Sequence, residues 1–490
     1  MSGAAQALIM PPIGAWWLAT VVLVPALWVL DDLRGWRALA VGWSMGAASV
    51  LGLGYWIAPT AVHFAKLPWI VGLIALLLYA AIFGAYAAVF AWALPPLRRI
   101  TGAWWPVAAA ALWVACEFLN PQLFAHHLGL AFYEVPSIFI ATSAAGIGSL
   151  SFQIVLCNAV LVEGLRTRSI PWRSGSVALA LAALTIAYGH IRAAQIQQAQ
   201  LVAPKHRIAL VQDNLDVAAR AALSRQGAST IPEAMAAQTS AALTADPRIE
   251  AVVWGESVLE GTPHTAHTRA IRDLVRQHRV ELWTGGHDWD DDRRFNAAFR
   301  IHGEGVVDRP YRKNVLVPLG EYLPLGERIP TLQRLWGRGR NHPGTEHRAY
   351  PTAFGNVSFL ICYEAIKSAY VRAVARQQVD LLVNLTYDGW FGDTSCPHLH
   401  LAASALQSAQ LGVPMVRVSS TGVSAVIDAR GVITARTPLF VKSVLVADVP
   451  RVTAPSLYAA WGDWFAWTCV AFSLLLLAWA GARHAFGSRS

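Results

Sequence analysis

Seven stretches of the chain lack aspartate, glutamate, lysine and arginine for long enough to cross a bilayer as helices, which takes about 17 to 25 residues. They run from Ile13 to Leu30, Ala38 to Ala61, Leu67 to Leu94, Ile100 to Cys116, Pro136 to Val162, Ser174 to Ile191 and Trp464 to Ala482. Between the sixth and the seventh the pattern changes: charge, proline and glycine return and the apolar runs shorten. Strand-like runs lie at Arg207 to Gln212, Ala251 to Trp254, Val280 to Thr284, Asn356 to Cys362, Asp380 to Leu385, Val413 to Val418 and Ser424 to Asp428. Helical patterns fall between several of them, such as Thr265 to Arg279 with Ile271, Leu274 and Val275 on one face. Strands alternating with helices predict an α/β layered domain. The expected organisation is six spans over 1–192, a globular domain over 193–462, and a final span with a short basic tail over 463–490.

Composition agrees with a membrane protein. Of 490 residues 55% are hydrophobic and only 14% charged, too apolar a balance for a soluble chain of this length. The first apolar stretch lacks the basic n-region of a signal peptide and is followed by further spans, so it reads as retained. Arg34 and Arg37 follow the first span, Arg98 and Arg99 the third, Arg166, Arg168 and Arg173 the fifth, and Arg483 and Arg489 the last. The intervening loops hold Lys66 or no basic residue at all. The positive-inside rule then makes alternate loops cytoplasmic and sets the region after the sixth span outside, in an envelope or periplasmic compartment. A net charge of +9 has a natural counterpart in anionic lipid headgroups, and no nucleic-acid motif accompanies it. Cys116, Cys157, Cys362, Cys396 and Cys469 are scattered and form no disulfide framework.

The candidate chemistry gathers near strand ends, where α/β scaffolds commonly place it. Glu256 follows AVVWG, Cys362 follows VSFLI, and Lys313 and Glu321 lie in the loop-like stretch YRKNVLVPLGEYLP. A thiol is a poor nucleophile until ionised, and a carboxylate of raised pKa can take its proton. An ammonium group stabilises both the thiolate and the oxyanion of a tetrahedral intermediate. These three residue types suffice for acyl transfer through a thioester, although spacing alone does not bring them together. A helix-capping glutamate, a surface lysine and a core cysteine remain the plain alternative.

Four separated motifs in order carry a resemblance: WGES from Trp254, YRKNVLVPLGEYLP from Tyr311, ICYE from Ile361 and YDGWFGDTSCPHLH from Tyr387. They resemble the signatures of the nitrilase superfamily, and with the flanking helices the chain resembles its membrane branch, the apolipoprotein N-acyltransferases. The resemblance implies an αββα nitrilase-like sandwich set in sequence between six spans and one. It implies Cys362 as nucleophile, Glu256 as general base and Lys313 as oxyanion stabiliser. Glu321 would position the lysine and the acyl group, the Tyr363 N–H would complete the oxyanion hole, and Glu364 and Trp390 would shape the pocket. The implied partners are a phospholipid acyl donor and a diacylglyceryl-cysteine apolipoprotein as acceptor, used by a membrane-bound monomer without metal or organic cofactor.

The sequence also departs from the family's pattern. One helix fewer is expected at the N-terminus, Tyr387 replaces a usual asparagine, and Ala405, Gln407 and Gln410 stand where two arginines and a glutamate are usual. A conjugation-associated membrane nitrilase, a membrane amidase with another acyl acceptor and a catalytically dead scaffold stay open on this reading. Cys396, His398 and His400 form a C-x-H-x-H cluster without a second ligand pair of zinc-site spacing. The run HDWDDDRR from His287 lacks the glycine and distal glutamate of a calcium loop and reads as a solvated turn. The basic loop GRGRNH from Gly337 reads as a headgroup-facing arm or a plain solvated loop.

Overall fold

The computed structural model describes the chain except residues 64–65, 122, 125, 226–229, 260–267, 325, 327, 330, 332–333, 335–340 and 488–490. Most of the GRGRNH loop and the start of the expected helix at Thr265 therefore lie outside the described residues. The chain divides into two compact units. The first comprises Met1–Gln195, Phe391–Gln410 and Pro455–Ser490, the second Ile196–Trp390 and Leu411–Ala454.

The first unit is helical. Among the described residues four stretches are long and apolar enough to cross a membrane: Trp69–Leu119, Ile147–Thr167, Trp172–Val202 and Trp464–Arg483. A fifth arises if Gly35–Gly54 and Ile57–His63, bent by 46°, form one span. The first stretch, 51 residues long, would measure ~75 Å as a single helix, more than twice a hydrocarbon core. It breaks instead into helices Trp69–Phe83, Ala85–Thr101 and Trp105–Leu119. The chain turns back at Gly102, whose φ is +53°. Tyr86 and Phe90 consequently meet Trp113 edge-on, with ring centroids 5.6 and 5.0 Å apart. Helices also approach closely: a Cβ built on Gly46 would lie 2.1 Å from the Gly84 carbonyl, so glycine is what this crossing admits.

The expected span from Ile13 to Leu30 is not one helix. It consists of a 3-10 turn, Trp16–Thr20, and a helix, Val24–Leu30. Pro25 sits at the start of that helix, where its missing N–H costs least. The exposed backbone at the break is met by buried Asn158, which donates to the Ala19 carbonyl at 2.7 Å and accepts from the Leu23 N–H at 2.8 Å. Within lipid such internal satisfaction is what makes a broken segment tolerable. A further helix, Ser2–Ile9, precedes the break and was not anticipated by the apolar pattern.

The second unit is built on two six-stranded sheets. Strands β1 (Lys205–Gln212), β2 (Ala251–Trp254), β3 (Glu281–Asp290), β4 (Arg293–Ile301), β5 (Tyr311–Arg312) and β6 (Tyr350–Thr352) are followed by β7 (Gly355–Ile361), β8 (Leu381–Thr386), β9 (Met415–Ser419), β10 (Ala425–Ile427), β11 (Ile433–Arg436) and β12 (Ser443–Pro450). One sheet has the order β12-β1-β2-β3-β4-β5, the other β11-β10-β9-β8-β7-β6. In each, three central strands run parallel: β1, β2 and β3 in the first, β7, β8 and β9 in the second. Both faces of such strands are covered, so they read as apolar runs, and all six are among the seven strand-like runs of the sequence, the seventh being β10, which pairs antiparallel with β9 and β11.

The layers follow from side-chain alternation. Ile208, Leu210, Val253 and Trp283 from one sheet pack against Val357, Phe359, Ile361, Val383 and Val418 from the other in a shared core. On the opposite face of the first sheet Val211, Val252, Trp254 and Leu282 pack against Ile231, Met235, Ile271 and Val275 of the flanking helices Thr230–Ala245 and Arg269–His278. Helix Ser368–Ala375, with Val371 and Val374 buried, packs against β7 of the second sheet. The result is the αββα sandwich that the resemblance implied.

The HDWDDDRR run is the main correction to the sequence reading here. Only Asp291, at φ +52°, and Asp292 form the turn, while the flanking residues belong to the β3–β4 hairpin, in which Asp290 pairs with Arg293 and His287 with Asn296. Opposite charges, Arg293 with Asp290 at 2.6 Å across the hairpin and Arg312 of β5 with Asp288 at 2.7 Å, make an acidic segment compatible with strand.

Candidate active site

Three strand ends converge. Glu256 stands two residues beyond β2, Cys362 directly after β7 and Lys313 directly after β5. All three are buried, Lys313 to 1% exposure. An isolated ammonium could not remain charged there, so its partners decide its state. Lys313 Nζ lies 2.8 Å from Glu321 Oε2 and 3.5 Å from Glu256 Oε1. Burial alone would lower its pKa, but the charges of Glu321 and Glu256 prevail and raise it, fixing an ammonium in the site.

The two carboxylates differ. Burial raises the pKa of Glu256, with the Lys313 charge opposing and Glu321 adding to the rise. Burial acts on Glu321 as well, but the adjoining Lys313 ammonium overrides it and its pKa is lowered. One carboxylate is thus kept as the lysine's counter-ion while the other is shifted toward the range of a useful base. Asn296 Nδ2 bridges them, donating to Glu256 Oε1 at 2.7 Å and to Glu321 Oε1 at 3.2 Å. The Val317 N–H holds the other oxygen of Glu321 at 2.9 Å. Asn296 carries no signal in the sequence because its strand begins inside the acidic run that reads as a turn.

Cys362 has φ +51°, a left-handed backbone that presents its side chain at a sharp exit from β7. Burial and then the Glu256 charge push its thiol pKa up, with Lys313 acting against them. A resting thiol therefore keeps its proton, and the charges that bear on it are those of Glu256, Lys313 and, more weakly, Asp388. Tyr363, next in sequence, is buried and carries the Lys367 ammonium 4.2 Å over its ring. Trp390 is half-buried and meets the Tyr387 ring edge-on at 5.5 Å.

The structure places Glu364 differently from a pocket-lining residue. It is fully buried and accepts four hydrogen bonds: from the N–H of Ile361 at 2.7 Å, of Asn314 at 2.6 Å, of Val315 at 3.1 Å and from the Tyr311 hydroxyl at 2.7 Å. It thereby ties the residue before Cys362 to the two residues after Lys313. Burial pushes its pKa up to about 7 against those donors. Because the folded state holds this proton more tightly than the unfolded one, its contribution to stability is complete below about pH 4.3 and is lost as the pH rises through 7. Glu364→Gln is expected to lower the thermal midpoint and slow acylation of Cys362 by ~10²-fold, since an amide would face donors with its own N–H groups. A melting curve and a single-turnover acylation assay check this, and wild-type acylation would show the tie to be dispensable.

A second buried assembly joins β8, the turn after it and β9. Arg417 donates to Asn384 Oδ1 at 2.5 Å and to Asp388 Oδ2 at 2.8 Å, all three side chains being fully enclosed. Of the residues that depart from the family pattern, Ala405, Gln407 and Gln410 are buried in helix Cys396–Leu411. Cys396 opens that helix and is itself buried.

Taken together, a nucleophile, a base of raised pKa and a fixed cation can perform acyl transfer through a thioester. Comparison with known proteins identifies the family. Residues 191–458 match the carbon-nitrogen hydrolase family and residues 2–160 the N-terminal domain of apolipoprotein N-acyltransferase. The chain is 31% identical to an apolipoprotein N-acyltransferase of Geobacter metallireducens, covering 99% of this chain and 94% of that one. It is 30% identical to one of Rhodopseudomonas palustris, over 97% and 93%. Among solved structures it is similar to a carbon-nitrogen hydrolase from Helicobacter pylori G27, at 14% identity and a TM-score of 0.39, over 50% of this chain and 89% of that one. The chain belongs to the carbon-nitrogen hydrolases and, within them, to the apolipoprotein N-acyltransferase family.

Proposed function

We propose that the protein transfers an acyl chain from a phospholipid, through a thioester on Cys362, to the N-terminal amine of a diacylglyceryl-cysteine apolipoprotein. The near-complete overlap with curated apolipoprotein N-acyltransferases is the observation that carries the reading, because the acceptor cannot be inferred from the triad. In this reading residues 1–192 and 463–490 form the membrane domain and residues 193–462 the catalytic domain. The enzyme is a monomer in a bacterial inner membrane, with the catalytic domain on the periplasmic side, as the arginines at Arg98, Arg166 and Arg168 favour.

The residues take complementary roles. Glu256 accepts the Cys362 proton as Sγ attacks the ester carbonyl of the phospholipid. The Lys313 ammonium and the Tyr363 N–H meet the oxyanion. Collapse breaks the C–O bond, and the proton on Glu256 passes to the departing lysophospholipid alcohol, leaving the thioester. The acceptor amine then attacks the thioester, gives its proton to Glu256 and releases the thiolate, which recovers that proton. The order is ping-pong, because the acyl chain rests on the enzyme between two membrane-borne substrates. Glu321 holds Lys313 in place, Glu364 fixes the two loops, and Trp390 borders the pocket.

The test is complementation of a host depleted of its own apolipoprotein N-acyltransferase, with lipoprotein N-termini read by mass spectrometry. Restored growth with triacylated termini is the expected outcome. Termini that stay diacylated, despite an acylated enzyme, would reject the acceptor and favour a relative with another acyl acceptor.

A further inference from the structure

We infer that Arg220 is a positioning residue for Glu256, acting through a clamp that joins the C-terminal ends of strands from both sheets. The inference rests on the proposed role of Glu256 as base. Arg220 lies on helix Val217–Ser224 and is partly buried. One of its terminal nitrogens, Nη1, donates to the backbone carbonyl of Glu256 at 3.1 Å and to that of Ser257 at 3.0 Å. The other, Nη2, donates to Asp213 Oδ2 at 3.2 Å. The guanidinium carbon sits 4.4 Å from the centre of the Tyr387 ring.

Each partner belongs to a different strand end. Asp213 follows β1 directly and is buried, and its Oδ1 accepts from the Ser420 hydroxyl beyond β9. Glu256 and Ser257 follow β2, and Tyr387 follows β8. The Asn214 N–H adds a backbone bond to the Ser420 carbonyl at 3.0 Å. One guanidinium thereby links loops from the sheet that carries Glu256 to a loop of the sheet that carries Cys362.

The Glu256 loop needs such a restraint. Ser257 has φ +53°, a left-handed backbone that a non-glycine residue adopts at a cost. From the other side the loop rests on Gly285, whose carbonyl accepts the N–H groups of Val258 and Leu259 at 3.1 and 3.0 Å. Arg220 supplies the opposing hold through the Glu256 and Ser257 carbonyls. The planar, multiply donating guanidinium suits this work, since it can bond in its plane and stack on its face at once. Tyr387 offers that face.

The experiment measures alkylation of Cys362 across pH and single-turnover acylation from phospholipid vesicles, with the full chain in detergent. Arg220→Gln is expected to slow acylation by ~10²-fold through kcat, with KM for the phospholipid within about twofold. Its alkylation profile should approach that of Glu256→Gln. In the Glu256→Gln background, Arg220→Gln should add little, because both changes remove the same placed base. Full additivity in the double variant would overturn the clamp. A Glu256→Gln variant that alkylates like wild type would instead refute the base assignment itself. Should Arg220→Gln fail to fold, the decision passes to Tyr387. Tyr387→Leu, which removes the aromatic face, should lose more acylation than Tyr387→Phe, which keeps it, and equal losses would overturn the inference.

Discussion

Cys362→Ala is expected to leave the protein folded and without an acyl-enzyme. In membranes holding the wild-type chain, the tryptic peptide bearing Cys362 should carry a phospholipid-derived acyl group, and in the variant none should form. The side chain is small and buried, so its loss removes one sulfur and little packing. Its chemical loss is large: removing a positioned nucleophile typically costs on the order of 10⁴-fold or more in rate. An acyl group found on Cys396 instead would overturn the assignment. Cys396 is the informative control because it too is buried but lies in helix Cys396–Leu411, which groups with the first unit and not with the two sheets.

Lys313→Met should be nearly as damaging, and for two separable reasons. The first is stability. Removing the ammonium leaves Glu256 and Glu321 buried with no cation at 3.5 and 2.8 Å, and breaking a buried pair on one side typically costs about 3–5 kcal/mol. The second is the pH dependence of acylation. Glu256 must be ionised to accept the thiol proton, so the rate climbs as pH rises through its pKa. Burial raises that pKa, which puts the acid limb of the wild-type profile above the ordinary glutamate value of about 4.3. The Lys313 charge works against that rise, and it also works against the rise at Cys362. Its removal should therefore displace the acid limb to still higher pH. Thermal melts and single-turnover acylation over a pH series measure the two effects. A limb that does not move would mean that Lys313 has no electrostatic hold on the base.

What the sequence disclosed divides along physical lines. Strands β1, β2, β7, β8 and β9 were legible because parallel strands covered on both faces carry apolar runs, and Glu256 and Cys362 were legible because they follow such runs within two residues. β4 was not, because RRFNAAFRI begins with two arginines that pair across a hairpin, and so Asn296 was lost with it. Arg220 could not be singled out either. On a short helix an arginine looks like any solvated residue, and its value comes from carbonyls that are distant in sequence. Glu364 stands out in the sequence by its place near Cys362, but the four donors it accepts from meet it only when the Lys313 loop is folded against it. In the membrane part, the apolar run from Ile13 to Leu30 suggested an unbroken helix because hydropathy counts side chains and is blind to a backbone break met by one amide, Asn158.

The pairing of β1 with β12 sets the order of events during synthesis. Lys205 lies opposite Pro450 and Gln212 opposite Ser443, and just outside the ladder the Arg451 N–H bonds to the Pro204 carbonyl at 2.9 Å. The first strand to emerge is therefore edged by the last, and one sheet lacks an edge strand until nearly the whole unit has been made. Pairing between residues so far apart in sequence is slow, so this sheet is among the last parts of the unit to close. The same pairing makes neighbours of the first and last strands of the unit, so its two outermost chain ends leave the sheet side by side.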